Sequence, residues 1–478
     1  MDFHVVLAGR KNLSGEIYNQ MRRAIADGRL RPGDCLPPSR ALARSLGVSR
    51  TTVTVAYDRL AGEGFVIARV GAGTFVSDQV APGPSGPGAP GRDLVKGALR
   101  PRSAWDRIPL PTAFATPAQF DFRTGLPDAS LFPHETWRRL MDRELRSESV
   151  NAGVYVNPAG HSGLREAIAR HIGVSRGVQA SADDITITSG AQQAFDIIAR
   201  ALLEPRDRVV VEDPGYQPPR LLFQSLGARV HGAPVDEQGI VVKVLPRQAR
   251  LVYVTPSHQY PLGVTMSLPR RLALLDWAAR NNAAIIEDDY DSEFRFGGRP
   301  IEPLQTLDKS GRVIYVGSFS KTLLPTLRLG FVITPGHCTD AVRKAKYVTD
   351  WHTSMPVQAA LARFIDDGGF ARHLRKVRRV YTERHEVVTD ILTREFSDYL
   401  KVIPSVAGLH VTALARFASV SKISEFVRRA SDCGVEAQEL SRFAVDTPAR
   451  AGLLFGYGAI PTDRIQEGLR RLRACFAS

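Results

Sequence analysis

The segment "RVIYVGSFSKTL", residues 312–323, ends an apolar run with small polar residues and a lysine. The apolar residues 313–316 predict a buried strand. Similar runs alternate with helical patterns along most of the chain, which predicts a mainly parallel sheet with helices on both faces. Ligands of such sheets bind at the carboxyl ends of the strands. Lys321 follows such an end, so the segment also predicts a binding site.

The bulk composition limits the class of protein. At 478 residues the chain exceeds the size of one compact core, so at least two domains are expected. Lys+Arg 63 against Asp+Glu 49 gives a net charge of +14, typical either of a nucleic-acid partner or of an enzyme with scattered surface arginines. The four cysteines lie far apart, so neither a zinc site nor a disulfide scaffold is expected, and no other metal is assigned. Without a signal peptide or a long apolar run, we expect a soluble, cytoplasmic protein that does not contact membranes.

A segment rich in proline and glycine marks the domain boundary. "SDQVAPGPSGPGAPGRD", residues 77–93, has no periodic pattern and predicts a linker, which we extend over residues 80–117. It separates an N-terminal module, residues 11–79, from a second module, residues 118–478. Within the second module we expect a large part at about 160–345 and a smaller α+β part formed by about 118–159 with 346–478.

The N-terminal module has the pattern of a winged helix-turn-helix. One helical face carries Ile17, Met21 and Ile25, and two shorter helices follow around the turn "GVS". Ser39 and Ser49 are expected to cap these two helices. "FVIARVGAGTFV" then predicts two strands around a glycine turn. A three-helix bundle used for protein contacts is the alternative, but the order of turn, polar recognition face and wing disfavours it.

Residues 36–76 resemble the winged helix of GntR-type transcription regulators. The resemblance implies that the start of the third helix and the glycine turn of the wing touch double-stranded DNA, while Arg69 is placed to reach a phosphate. The predicted DNA-binding residues are Ser39, Arg40, Ser49, Arg50, Thr51, Thr52, Thr54, Arg69, Gly71 and Gly73.

In the second module, polar residues at successive strand ends fit different parts of one molecule. Ser189 and Gly190 open a helix, whose free N–H groups suit a phosphate. A carboxylate in "IIEDDYD" suits a pyridinium nitrogen, and Lys321 suits an aldehyde as a Schiff base. Arg328 adds a cation for the phosphate. Each signal is weak alone, but the ordered set predicts pyridoxal 5′-phosphate.

The second module also resembles a fold-type I aminotransferase, and with the winged helix in front the chain is similar to the MocR subgroup of GntR regulators. The resemblance rests on "TSGAQQAFDIIAR", "TPSHQYPLG", "IIEDDYDSEFRF" and "GSFSKTLLPTLRLG". It implies that Lys321 forms the Schiff base, that Asp288 faces the pyridine nitrogen, and that Tyr290 faces the ring hydroxyl. It further implies a homodimer in which Tyr155 reaches the partner's cofactor. The cofactor-binding residues predicted in this way are Ser189, Gly190, Ala191, Tyr216, His258, Tyr260, Asp288, Tyr290, Ser318, Ser320, Lys321 and Arg328, with Tyr155 acting in the partner's site.

Two positions depart from the aminotransferase pattern. The family binds a substrate carboxylate with an arginine in a pattern like "LRLGF", but this chain has "LLFGY", with Leu454 in the arginine's place. A leucine cannot offer the two-pronged hydrogen bond that a carboxylate prefers. Arg450 would replace it only if the local alignment slipped. The family's "PTG" is here "PLG", with Leu262. Both changes disfavour binding of an ordinary α-amino acid.

Three functions remain open from the sequence. The chain is a transcription regulator that senses either pyridoxal 5′-phosphate itself or an amine or amino-acid effector, or it is a working aminotransferase with an added DNA-binding domain. We expect a regulator with at most a residual aminotransferase half-reaction. A dimer would present two winged helices, so a repeated or inverted DNA operator is expected.

Overall fold

The structure is a computed structural model that describes Val5, Leu7 and residues 12–69, 71–78, 100–109, 118–147, 153–297 and 301–477. The chain divides into two compact units, one ending at Pro101 and the other beginning at Arg102. Most of the linker predicted for residues 80–117 lies outside the described residues. The turn of 3-10 helix at Ser103–Arg107 is described, and it belongs with the second unit.

The first unit contains three helices followed by a β-hairpin. They are α1 (Leu13–Ala26), α2 (Ser39–Leu46), α3 (Arg50–Gly62), β1 (Val66–Arg69) and the antiparallel β2 (Gly73–Val76). The apolar face predicted for the first helix is buried in a core that also holds Val53 and Leu60. Ser49 caps α3 as predicted, because its Oγ accepts from the Thr52 N–H at 3.1 Å. The expected cap at Ser39 is wrong: Ser39 is already the first helical residue, and its Oγ lies 3.5 Å from Arg50 Nε.

The second unit is built on an eight-stranded sheet. Its strands are β4 (Ile185–Thr188), β5 (Arg208–Asp213), β6 (Arg229–Asp236), β7 (Gly239–Ile240), β8 (Ala249–Val254), β9 (Ala284–Asp289), β10 (Val313–Ser318) and β11 (Gly330–Ile333). They lie in the order β4-β11-β10-β9-β8-β5-β6-β7. Strands β10, β9, β8, β5 and β6 pair in parallel, whereas β11 and β7 pair antiparallel with their neighbours. Strands β5, β8, β9 and β10 are mostly buried and carry apolar runs, because both faces of the sheet are covered there.

Helices connect and cover this sheet. They are α6 (Gly190–Leu202), α7 (Gln217–Ser225), α8 (Leu268–Asn281), α9 (Leu304–Leu307) and α10 (Gly336–Asp350). The chain turns from β10 into the segment that carries Lys321, so the lysine lies at the carboxyl edge of the sheet, as predicted for ligands of this architecture.

Three further helices form one cluster with the antiparallel edge of the sheet. They are α4 (His134–Glu144), α5 (Ser162–Arg176) and α11 (Met355–Asp366). Trp137 of α4 and Leu361 of α11 share a buried core with Ile187 and Phe331. The sequence assigns residues 118–159 and 346–478 to the smaller part. Two helices from these ranges, α4 and α11, instead pack on the large sheet, because their apolar faces meet its antiparallel edge.

The smaller part has its own sheet and core. Its elements are β3 (Phe120–Asp121), α12 (Gly369–Glu395), β12 (Leu400–Val402), β13 (His410–Ala415), α13 (Val420–Asp432), β14 (Val435–Glu436), β15 (Gln438–Glu439), β16 (Gly452–Gly456) and α14 (Thr462–Ala477). Strands β12, β13, β16 and β15 form an antiparallel sheet, and β14 pairs with β3 in parallel. Among the described residues, no helix combines the length and the apolar character needed to cross a bilayer.

Candidate cofactor-binding and DNA-binding sites

A cavity of about 310 Å³ lies at the carboxyl ends of β8, β9 and β10. The predicted site residues that line it are Ala191, Tyr216, Tyr260, Asp288, Tyr290, Ser318, Ser320, Lys321 and Arg328. The other predicted residues, Ser189, Gly190 and His258, are in contact with members of this set, whereas Tyr155 lies elsewhere on the chain. Segments that are far apart in sequence thus place aldehyde-reactive, acidic and basic groups around one volume.

Lys321 is held in the cavity by a contact from another part of the chain. Its Nζ donates to the Gly125 carbonyl at 2.6 Å, and a Cβ at Gly125 would lie only 3.2 Å from that nitrogen. Burial lowers the pKa of Lys321, although the carboxyls of Asp291 and Asp288 partly oppose this effect. A lowered pKa favours the neutral amine, which is the nucleophilic form of lysine.

Asp288 has one satisfied and one unsatisfied oxygen. Tyr253 donates its hydroxyl to Oδ2 at 2.6 Å, while the buried Oδ1 has no hydrogen-bond partner among the described residues. Burial raises the pKa of Asp288 to about 7. A buried carboxyl oxygen without a donor is costly. A cationic ring N–H would supply both the missing hydrogen bond and the missing charge, so the cavity fits a pyridinium ring.

The opposite side of the cavity suits a phosphate. Helix α6 begins at Gly190, whose φ of 74° places it in the left-handed region. Arg328 donates from Nη2 to the Ser189 carbonyl at 2.9 Å, and a Cβ at Gly190 would come within 2.9 Å of that nitrogen. Ser318 Oγ accepts from the Ser320 N–H at 3.1 Å nearby. A helix N-terminus beside a guanidinium is a favourable place for an anion.

Tyrosine rings form one wall of the cavity. Tyr216 meets Tyr260 edge to face, with the ring centroids 5.5 Å apart. Tyr260 Oη lies 2.7 Å from Thr124 Oγ1. Since Thr124 donates its own proton to Gln438 Oε1 at 2.6 Å, it must accept from Tyr260. The wall therefore presents aromatic faces and hydroxyl groups that carry no charge.

His258 lies behind this wall and orients Tyr290. Tyr290 donates its hydroxyl to the His258 carbonyl at 3.0 Å, and His258 Nδ1 lies 2.9 Å from Asp291 Oδ2. Burial lowers the pKa values of His258 and His410 to about 3 and raises that of Asp291 to about 8. The two imidazoles are therefore neutral, and His258 contacts Asp291 and Tyr290 through hydrogen bonds and not as a cation.

The two departures from the aminotransferase pattern meet in one apolar cluster. Leu454 lies in β16 and is fully buried, with Leu262, Leu440 and Val235 in the same cluster. None of these four residues lines the cavity. Arg450 precedes β16, is exposed, and does not line the cavity either. In the sheet, Leu454 faces Thr412 of the neighbouring strand β13.

Some cavity residues gave no clear signal in the sequence. Gly125 and Thr124 come from a loop nearly two hundred residues before Lys321, and His410 comes from the smaller part. Asp291 stands in the quoted "IIEDDYD" pattern, but the resemblance singles out only Asp288 and Tyr290 within it. Tyr253 looks like an ordinary strand residue because its hydroxyl partner, Asp288, is on the neighbouring strand.

The winged-helix unit exposes the predicted DNA-binding face. Arg40, Arg50 and Thr51 are exposed at the starts of α2 and α3. Arg69 is exposed at the end of β1, with its guanidinium 5.1 Å from the centre of the Phe75 ring. Polar and basic side chains are thus exposed at the first turn of α3, which is the part of a helix-turn-helix that is expected to meet DNA.

Two family models match different parts of the chain. Residues 13–76 match the family model "Bacterial regulatory proteins, gntR family", and residues 125–442 match "Aminotransferase class I and II". The probable rhizopine catabolism regulatory protein MocR of Rhizobium meliloti is 38% identical, over 96% of this chain and 93% of that protein. The pyridoxine biosynthesis transcriptional regulator PdxR of Corynebacterium glutamicum is 32% identical, over 94% of this chain and 93% of that protein.

Solved structures give the same result for the second unit. The kynurenine aminotransferase of Pyrococcus horikoshii in complex with PMP is 30% identical and superposes with a TM-score of 0.69, covering 75% of this chain and 90% of that one. LysN, the α-aminoadipate aminotransferase of Thermus thermophilus, is 29% identical with a TM-score of 0.68, covering 75% of this chain and 92% of that one. The predicted fold class and the predicted cofactor, pyridoxal 5′-phosphate, are confirmed. The chain belongs to the MocR-type GntR-family transcription regulators, which join a DNA-binding winged helix to an aminotransferase-like domain for pyridoxal 5′-phosphate.

Proposed function

We propose that the occupant of the Lys321 cavity controls DNA binding by this regulator. In this proposal the winged helix of residues 11–79 reads an operator, residues 80–117 link it to the second domain, and residues 118–478 hold pyridoxal 5′-phosphate together with an amine effector. The observation that carries the proposal is the position of the Lys321 amine in a cavity that also contains the unsatisfied Asp288 Oδ1.

Each side of the cavity has a place in this proposal. Lys321 anchors the cofactor covalently, Asp288 accepts from the ring nitrogen, and Tyr290 faces the ring hydroxyl. Arg328 and the start of α6 bind the phosphate, and Tyr216 covers the ring. When bound, the cofactor supplies an aldehyde carbon that condenses with primary amines. An effector biases the protein only through its different affinity for the DNA-bound and free forms.

The control of DNA binding is tested with the full chain and the DNA upstream of its own gene. Binding is measured by fluorescence anisotropy for the cofactor-free protein, for the loaded protein, and for the loaded protein with 2-phenylethylamine. We expect the DNA affinity to differ between these states in the wild type and not in Lys321→Ala. A change in DNA affinity caused by the cofactor alone would identify pyridoxal 5′-phosphate itself as the effector. Equal affinity in all three states would contradict the proposal.

A homodimer is proposed on a separate observation. Tyr155, Tyr347 and Trp351 form an apolar cluster, in which Tyr155 is stacked on Trp351 with ring centroids 4.3 Å apart. Val154 and Val348, the chain neighbours of the two tyrosines, are exposed as well, and we count them with this exposed apolar cluster. Tyr155 is 74% exposed and Val348 is 75% exposed in the single chain. Several large apolar side chains that are exposed next to one another are typical of an association surface. In the dimer, Tyr155 would reach the partner's cavity.

The exposed apolar cluster gives a prediction about assembly. In Val348→Glu, a charge enters the cluster, and an unpaired buried charge costs more than ~1–3 kcal/mol. We expect the dimer dissociation constant to rise by about tenfold or more. Sedimentation equilibrium measures it. Val174→Glu is the matched control, because Val174 is 92% exposed on α5 and lies outside the cluster. Equal dissociation constants for both variants would refute the assignment of this surface.

The winged helix gives a prediction about salt dependence. In Arg50→Ala, one phosphate contact is lost, so affinity for duplex DNA should fall about tenfold, and the slope of log K against log salt should fall by about 0.9. The variant is titrated with a duplex of arbitrary sequence at several salt concentrations. Arg23→Ala removes the same charge from an exposed position on α1 and should leave the slope unchanged. If both variants lose the same slope, the effect is one of net charge only.

A further inference from the structure

The charges around the cavity restrict the effector. Among the described residues that line the cavity, Lys321 and Arg328 are the lysine and arginine side chains, and Asp288 and Asp291 are the acidic ones. Arg328 is committed to the phosphate side, where it contacts Ser189. Lys321 would hold the cofactor. An effector amine that condensed with the cofactor aldehyde would release the Lys321 amine, which burial shifts towards its neutral form by lowering its pKa. No cation among these described lining residues is left over for a second anionic group of a ligand.

The remaining wall favours uncharged groups. Tyr216, Tyr260 and Thr124 present rings and hydroxyls, and His410 is neutral because burial lowers its pKa to about 3. Behind Tyr260 lies the apolar cluster of Leu262 and Leu454, against which Tyr260 itself is packed. Among the described lining residues, a carboxylate on this side would meet no counter-charge, and moving it there from water would cost free energy.

From these observations we propose that the effector is a primary amine whose remaining part is uncharged, hydroxylated or apolar, and that the protein discriminates against the corresponding α-amino acid. The inference rests on the proposed function and specifies the ligand class of the same cavity. Its physical basis is the pairing of a cofactor aldehyde, which Lys321 would hold and which condenses with primary amines, with a wall that offers hydrogen bonds and aromatic faces but no free cation among the described lining residues.

Pairs of ligands that differ only by a carboxylate provide the test. The loaded wild-type protein is titrated with 2-phenylethylamine and L-phenylalanine, and separately with ethanolamine and L-serine. The absorbance spectrum of the cofactor and the DNA affinity are both recorded. We expect each amine to act at a concentration about tenfold or more below that of its amino acid, because an unpaired carboxylate loses charge-assisted hydrogen bonds. Equal potency of amine and amino acid would overturn the inference.

A variant adds an independent measurement. Leu454→Arg combined with Leu262→Thr would place a guanidinium behind Tyr260, where that ring packs on the two leucines, and should reduce the preference for the amine. Leu454→Met is the neutral control of similar size. Because a buried arginine can unfold the protein, the wild-type comparison stands by itself as the decisive result. Failure of every amine and amino acid to change the spectrum would refute the amine-responsive function as a whole. Equal response to amines and amino acids, with the cofactor still attached to Lys321, would refute only the ligand class.

Discussion

Lys321→Ala is expected to abolish covalent attachment of pyridoxal 5′-phosphate. The wild-type lysine combines a position inside the cavity, a hydrogen bond to the Gly125 carbonyl and a pKa that burial lowers, which shifts the amine towards its neutral, nucleophilic form. An alanine has no nitrogen to condense with an aldehyde. Reduction of the loaded protein with borohydride, followed by mass spectrometry of the peptides, should show the added cofactor mass on Lys321 in the wild type and on no peptide in the variant.

The control for this experiment is an exposed lysine. Lys344 forms a surface ion pair with Asp340, and its side chain is 75% exposed. Lys344→Ala should retain the full modification of Lys321. Modification of another lysine in the wild type, or unchanged modification in Lys321→Ala, would contradict the assignment of the cofactor site and with it the proposed control of DNA binding.

Asp288→Asn is expected to weaken the binding of the cofactor by about tenfold to a hundredfold. Hydrogen bonds that involve a charged group contribute ~1.5–3 kcal/mol, and 1.4 kcal/mol corresponds to tenfold in affinity. The asparagine keeps the size of the side chain and can still contact Tyr253, but it cannot neutralise a ring N–H cation at the position of the unsatisfied Oδ1. Titration of the cofactor-free protein, followed by cofactor absorbance, measures the loss.

Glu212→Gln is the control that separates the loss of a specific contact to the ring nitrogen from the general effect of neutralising a buried carboxylate. Glu212 is also fully buried, and burial raises its pKa to about 7, as for Asp288. It accepts from Thr255 and does not line the cavity. We therefore expect Glu212→Gln to change the free energy of unfolding more than it changes the affinity for the cofactor. If the two variants lose cofactor affinity to the same degree, Asp288 has no specific role towards the ring nitrogen.

These expectations place the cofactor and the effector in one cavity of the regulatory domain. The fold and the relatives establish a transcription regulator with an aminotransferase-like domain. In the proposed ligand class, the wall of tyrosines, with the buried leucines packed behind Tyr260, is the feature that selects an amine. Fold by itself does not determine function, so the choice of effector depends on these side chains.

The sequence by itself determined both domains and the order of the main site residues. Strands that are buried on both faces must be apolar throughout, so Ile285, Ile286 and Ile314 stand in recognisable runs. Polar residues that interrupt the end of such a run are conspicuous, which is why Asp288 and Lys321 could be selected. The helix-turn-helix was equally visible, because helical periodicity and the Ser49 cap are local in sequence.

Only the tertiary structure decided which distant residues complete the cavity and which are removed from it. Gly125 contacts Lys321, and His410 lines the same cavity as Asp291, because segments that are distant in sequence pack together. No local sequence pattern encodes these contacts. Leu454 and Leu262 look like separate exceptions in the sequence but share one apolar cluster in the fold. The physical reason is that periodicity reports how a residue is buried within its own element, whereas a binding site depends on contacts between elements, which exist only once the sheet and the smaller part have packed together.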